Sequence, residues 1–202
     1  MKHSILVIAV FLLTACVTQQ RYSPQSVQVV GDYKQISSGI TFPESLNGFK
    51  RVSITKFNEH GTNIGVGYNH FGNQIALTLY VYPAQEIMSI GSPKEVIESA
   101  QKQLFDNSYQ RSKLDILYAH QNSELTVEEP YKLEKYGQHA GMHATFKYSE
   151  QFAGKYQVVK SHLYLIQIQN ELFKYRVTYP ENTNSENDVS HFIESLELRE
   201  ST

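Results

Sequence analysis

The sequence predicts an α+β fold: a mainly antiparallel, twisted β-sheet with two helices packed on it. Three observations lead there. Short segments that alternate apolar and polar residues dominate the chain, separated by Gly, Pro and Asn. Two stretches, around 93–105 and 185–196, instead repeat apolar residues at helical spacing. The order is strands, helix, strands, helix, without the βαβ alternation that builds a doubly wound parallel sheet. Composition agrees: 14 Tyr and no Trp in 202 residues favour pleated, half-buried surfaces, and 41% apolar residues suffice for one domain with a core.

Charge and cysteine usage narrow the function classes. The formal net charge is −2, and no run of Lys or Arg interleaves with aromatics, so the footprint of a nucleic-acid binder is missing. The single cysteine, Cys16, excludes an internal disulfide and any Cys₄ or Cys₂His₂ zinc site.

The first residues are a targeting signal. Lys2 gives a charged start, and residues 5–13 are all apolar. Nine helical residues rise roughly 13 Å, far short of a bilayer core. Leu13-Thr14-Ala15-Cys16 then resembles a bacterial lipobox. The resemblance implies removal of residues 1–15 after Ala15, and acyl chains on Cys16 as the lipid anchor. Two or three long chains would hold a protein to a bilayer effectively permanently. Val17, rather than Asp, follows the cysteine; by the Gram-negative lipoprotein rule this implies the outer membrane, facing the periplasm. An ordinary secretory signal with a chance cysteine, or a membrane-anchoring helix, is the other reading.

Residues 16–35 are rich in Gln and Ser with little periodic pattern, and read as a tether. Val27, Val29 and Val30 also suit a first short strand. A single globular domain is expected over 36–198. Within it, 36–42 is a strand ended by Pro43, "PESLNG" a turn, and 49–57 an alternating strand with Val52, Ile54 and Lys56 on one side.

The next hairpin reads residue by residue. With Gly72-Asn73 as a two-residue loop, Tyr68 faces Leu77, Val66 faces Leu79 and Ile64 faces Val81, all on one apolar face. The other face pairs Asn69 with Ala76, Gly67 with Thr78 and Gly65 with Tyr80. Two glycines weaken a strand unless something uses the space, either Tyr80 or a closely approaching helix or ligand.

Ser92-Pro93-Lys94-Glu95 opens a helix with Ser92 as N-cap, and Val96, Ile97, Ala100, Leu104 and Phe105 form its stripe. Strands follow at 123–136, at 139–149 with Ala140, Met142, Ala144, Phe146 and Tyr148 on one side, at 156–169 and at 172–179. The final helix spans 185–196, with Ser185 as N-cap and Val189, Phe192, Ile193 and Leu196 inward.

This order, together with the glycine-bearing strand and aromatic strand of "VGYNHFGNQIALTLYVYP", resembles the PsbP-like sandwich shared by DcrB-type bacterial lipoproteins. The resemblance spans roughly 36–198. It implies a non-catalytic accessory or assembly role and transfers no functional residue.

Candidate chemistry is sparse. In the strand assigned to 139–149, His139 and His143 share a face about 13 Å apart, too far for one metal; a helix over 137–144 would instead bring them together. His162 reads as a hydrogen-bonded structural histidine, and Ser92 as a cap before a nucleophile. No G-x-S-x-G elbow or phosphate loop is present, and Glu128-Glu129 read as solvated acids. Tyr80 and Tyr82 read first as sheet packing. The sharper reading makes Asn69, Tyr80 and Tyr82 the lining of a groove for a peptide, glycan or lipid fragment. The expectation is therefore a lipid-anchored, non-enzymatic envelope protein, without cofactor or metal, bound to the membrane through its anchor and to an envelope protein partner. The alternative is an anchored hydrolase or transferase acting on envelope material.

Overall fold

The structure is a computed structural model, and its described residues are 22–87, 91–133, 135 and 141–198. The expected α+β architecture is present. Strands β1 (Gln25–Ser26), β4 (Ser45–Leu46), β5 (Phe49–Lys56), β6 (Ile64–His70), β7 (Ile75–Pro83), β8 (Glu124–Pro130), β9 (Gly141–Phe152), β10 (Lys155–Ile168) and β11 (Glu171–Pro180) form one sheet. Its order is β1-β5-β6-β7-β11-β10-β9-β8, with β4 also on β5. All these pairs are antiparallel. The strands β2 (Tyr33–Lys34) and β3 (Thr41–Phe42) make a separate ribbon. Helices α1 (Lys94–Ala119) and α2 (Glu186–Ser195) lie on opposite faces.

One face carries the larger core. Tyr68, Val66 and Ile64 of β6, Leu77, Leu79 and Val81 of β7, and Phe173, Tyr175 and Val177 of β11 pack with Val189, Phe192 and Ile193 of α2. The second core sets Phe105, Tyr109 and Ile116 of α1 on Phe146, Tyr148, Leu163 and Leu165. The β6–β7 register is the expected one, with Tyr68 opposite Leu77 and Gly65 opposite Tyr80. Its turn differs. Residues 71–74 make a four-residue loop, and the left-handed position is Gln74 at φ 53°, not Gly72 or Asn73. Asn73 instead donates from Nδ2 to Asp188 of α2 at 2.5 Å, tying hairpin to helix.

Several local expectations are corrected. Of 36–42 only Thr41–Phe42 is strand, because residues 36–38 turn the chain and Ile36 projects into solvent. "PESLNG" is a hairpin: Asn47 and Gly48 take φ 47° and 81°, the two-residue turn that joins β4 to β5. In β5 a bulge between Arg51 and Ser53 resets the alternation. Phe49 and Ile54 both reach the core, while Val52 is expelled. The N-cap of α1 is Pro93 at φ −57°, ψ 147°, not Ser92. The Pro93 carbonyl accepts from the amides of Val96 and Ile97. The buried stripe of α1 begins at Phe105 and runs through Tyr109, Ser112 and Ile116, leaving Val96 exposed.

The tether expected over 16–35 is attached to the domain at several points of its described part, 22–35. β1 pairs with β5, the Arg51 guanidinium donates to the carbonyls of Val29, Gly31 and Phe42, and Gln35 is buried with its amide on the Gly61 carbonyl at 2.8 Å. A strand pairing, a buried glutamine and a fixed cation hold the segment where composition alone suggested free chain.

Candidate functional site

α1 covers β9 and β10 and reaches Leu172 of β11 and Tyr82 of β7. Cross-strand register dictates what the remainder of that face shows. Gly65 faces Tyr80, and Tyr80 faces Lys174. Gly67 faces Thr78, and Thr78 faces Arg176. Thr55 and Ser53 of β5 stand opposite Gly65 and Gly67, and Lys50 opposite Asn69. Side chains alternate along strands, so all these residues share one face.

The glycines make room for neighbours within the sheet. A Cβ on Gly65 would sit 3.1 Å from Phe57 and 3.2 Å from Tyr80; one on Gly67 would sit 2.5 Å from Ser53 Oγ. Tyr80 and Phe57 close over Gly65 with ring centroids 6.1 Å apart. The first of the two sequence readings, packing by Tyr80, is the one realised.

Lys174 spans the tyrosines. Its Nζ lies 4.8 Å from the Tyr80 ring centroid and 5.9 Å from that of Tyr82. Cation and ring quadrupole attract in this geometry. Burial pushes the Lys174 ammonium down, and the neighbouring Arg176 adds to the effect; Asp115 of α1 opposes it. Burial pushes Arg176 down as well. The Nε of Arg176 is buried without a hydrogen-bond partner. Tyr82 is pushed up by burial and is held on its other side by Ser112 of α1.

The structure thus brings Tyr80 and Tyr82 together through Lys174. It places Asn69 elsewhere: Asn69 faces Ala76, four residues from Tyr80 along β7, about 13 Å away. There it lines a shallow cavity with His70, Phe71 and Phe152. Lys174 and Arg176 escaped the sequence reading. Their signal was two basic residues at i, i+2 in an otherwise apolar strand, "ELFKYRVTYP".

A second cluster lies on the opposite face. The register sets His143 across from Tyr164 and Thr145 across from His162. His143 Nε2 and His162 Nδ1 are 3.0 Å apart, His162 Nε2 and the Tyr179 hydroxyl 2.7 Å, and His143 Nδ1 and Glu129 Oε1 3.1 Å. The imidazoles stack within 5° of parallel, and His143 stacks on Tyr164 at 4.3 Å. Burial and the neighbouring His143 push His162 down to about 3. Burial pushes His143 down too, against the pull of Glu129. His162 is the hydrogen-bonded structural histidine expected. Thr145 Oγ1 lies 3.1 Å from His162 Nδ1, within reach of a base, but only 6% of Thr145 and 4% of His162 is exposed. No substrate atom approaches a hydroxyl so enclosed.

Among the described residues no three His, Cys, Asp or Glu side chains are arranged to hold a metal ion. His139, Ala15 and Cys16 lie outside the described residues, and Ser92 lies in the turn before α1. No helix among the described residues is long and apolar enough to cross a membrane.

No protein-family model matches the chain, and no curated protein matches it. Among solved structures it is similar to the solution structure of cyanobacterial PsbP (CyanoP) from Synechocystis sp. PCC 6803. The identity is 13%, the match covers 90% of this chain and 94% of that one, and the TM-score is 0.40. Those values carry no residue and no role across.

Proposed function

We propose that this chain is a lipid-anchored envelope protein whose domain binds a protein partner and turns over no substrate. The observation that carries the reading is the half-open sheet face bearing Tyr80, Tyr82, Lys174 and Arg176 beside α1. Tyr and Arg are the residue types that concentrate binding energy at protein contacts, and this face is flat rather than enclosed. The lipobox-like Leu13-Thr14-Ala15-Cys16 supports attachment through Cys16 and an outer-membrane position facing the periplasm.

Two measurements test this. Cys16→Ser should release the protein from the membrane pellet and stop its maturation; a variant that matures and pellets normally removes the anchor. A photo-crosslinking residue at Thr78, in intact cells, should capture a defined envelope protein, whereas one at Lys102 on the outer surface of α1 should not. Equal capture at both positions removes the binding face.

The second reading is an anchored hydrolase or transferase acting on envelope material, for which Thr145 beside His162 is the hydroxyl–imidazole pair present, enclosed as it is. It requires that Thr145→Val abolish turnover of envelope material while leaving the fold intact.

A further inference from the structure

The open sheet face is positive in a chain whose net charge is −2. On β5, β6, β7 and β11 the residues sharing this face are Lys50, Ser53 and Thr55; Gly65, Gly67 and Asn69; Ala76, Thr78, Tyr80 and Tyr82; and Leu172, Lys174, Arg176 and Thr178. Three are cations and none is a carboxylate. Lys174 and Arg176 stand two residues apart on one strand, about 7 Å, and both are half-buried. Elsewhere five lysines, Lys94, Lys102, Lys113, Lys147 and Lys160, each hold a carboxylate within 3.4 Å, and Arg51 is held by backbone carbonyls. Lys174 and Arg176 hold none within ion-pair distance among the described residues. Asp115, on the flank of α1, acts on both only through space.

Two like charges drawn out of water beside each other destabilise a fold unless something compensates them. Here the chain supplies two tyrosine rings and the Tyr148 hydroxyl, and still leaves the Arg176 Nε without an acceptor. A buried donor without a partner in a folded protein calls for an explanation. The Nε itself is enclosed, so an incoming carboxylate would compensate the pair from outside, meeting the Lys174 ammonium over the Tyr80 and Tyr82 rings and the half-buried Arg176 beside it.

Resting on the binding reading above, we propose that Lys174 and Arg176, flanked by Tyr80 and Tyr82, receive carboxylate side chains of an acidic segment of the partner protein. The openness of the face favours an extended protein segment over an enclosed small molecule. Arg and Lys on β11 then act as the specific contacts, and Lys50 as a steering charge at the rim.

The test uses the full chain in detergent and a fluorescein-labelled hexaglutamate peptide, read by anisotropy at two salt concentrations. Binding is expected, weakened by salt, and reduced about tenfold or more in the Lys174→Gln/Arg176→Gln variant. Lys102→Gln, on the outer surface of α1, should leave it unchanged. Circular dichroism checks the fold of the double variant. Should that variant not fold, Lys174→Gln alone carries the test, because its ammonium lies over the rings rather than in the core. Hexaglutamate binding that ignores these substitutions overturns the proposal. So does a face that takes inorganic phosphate or phosphatidylglycerol vesicles in place of the peptide. Capture of a partner at Thr78 that survives the double substitution leaves the binding reading standing and removes only the acidic segment.

Discussion

His143 Nε2 lies 3.0 Å from Nδ1 of His162, and one proton must sit between them. The neighbours decide whose it is. The Glu129 carboxylate only accepts, so His143 carries its proton on Nδ1 and offers Nε2 as an acceptor. His162 then donates from Nδ1 and accepts on Nε2 from the Tyr179 hydroxyl. The chain of bonds runs Tyr179 to His162 to His143 to Glu129, with both imidazoles neutral. Protonating both rings puts two N–H groups face to face.

Stability should therefore fall in mild acid. Both histidines are depressed by burial when folded, His162 to about 3. In the unfolded chain they bind protons near pH 6.5. The unfolded state thus holds more protons below that value, and stability rises with pH. It is fully present above about pH 6.5 and is lost as pH falls towards the folded values, at about 1.4 kcal/mol per pH unit for each proton taken up on unfolding. His120, also depressed by burial, adds to the same window. Urea unfolding at pH 7.5 and pH 5 measures the difference. A His143→Gln/His162→Gln variant should show a shallower dependence; an equal slope would refute the assignment.

Tyr179→Phe removes the donor to His162 Nε2 and leaves that nitrogen buried without a partner. The expected cost is about 1–3 kcal/mol. Tyr164→Phe, which retains the stacking on His143, should cost less. Denaturant midpoints for the two variants check the order.

The two ends of α1 should respond differently. Ile116 is fully buried against the β9–β10 half of the sheet, so Ile116→Ala should cost about 2–5 kcal/mol. Val96 is 57% exposed, and Val96→Ala should stay within about 0.5 kcal/mol. Thermal unfolding of each variant tests the contrast.

Two turns offer opposite outcomes. Gly48 sits at φ +81°, and a Cβ there would fall 2.5 Å from His70 Nε2. Gly48→Ala should cost more than about 1 kcal/mol. Ala153, in the β9–β10 turn, takes φ 49°. Asn tolerates this left-handed conformation better, so Ala153→Asn should stabilise by about 0.5 kcal/mol. Melting temperatures moving in the same direction would count against the turn geometry.

The β6–β7 register was legible because period-two alternation puts Ile64, Val66 and Tyr68 against Val81, Leu79 and Leu77 in a single pairing. The inward face of α2 was legible for the same kind of reason, a 3.6-residue period through Val189, Phe192 and Ile193. Asn47-Gly48 carried a hairpin signal that a plain turn reading left unused. The bulge at Val52 had no local signature and inverted the alternation around it.

Periodicity and turn chemistry by themselves determined the elements, the antiparallel class and the glycine-bearing hairpin, because those depend on neighbours in the chain. The lipobox-like stretch was likewise a matter of local order. Tertiary structure alone decided the two clusters. His143 meets His162 only through the β9–β10 register, and Lys174 meets Tyr80 only because β11 returns beside β7. It also decided which part of the sheet face α1 covers, since the helix buries Phe105, Tyr109, Ser112 and Ile116 while Val96 in its first turn stays exposed. Contacts between distant segments depend on the summed burial of a whole face, and no short window of sequence contains that sum.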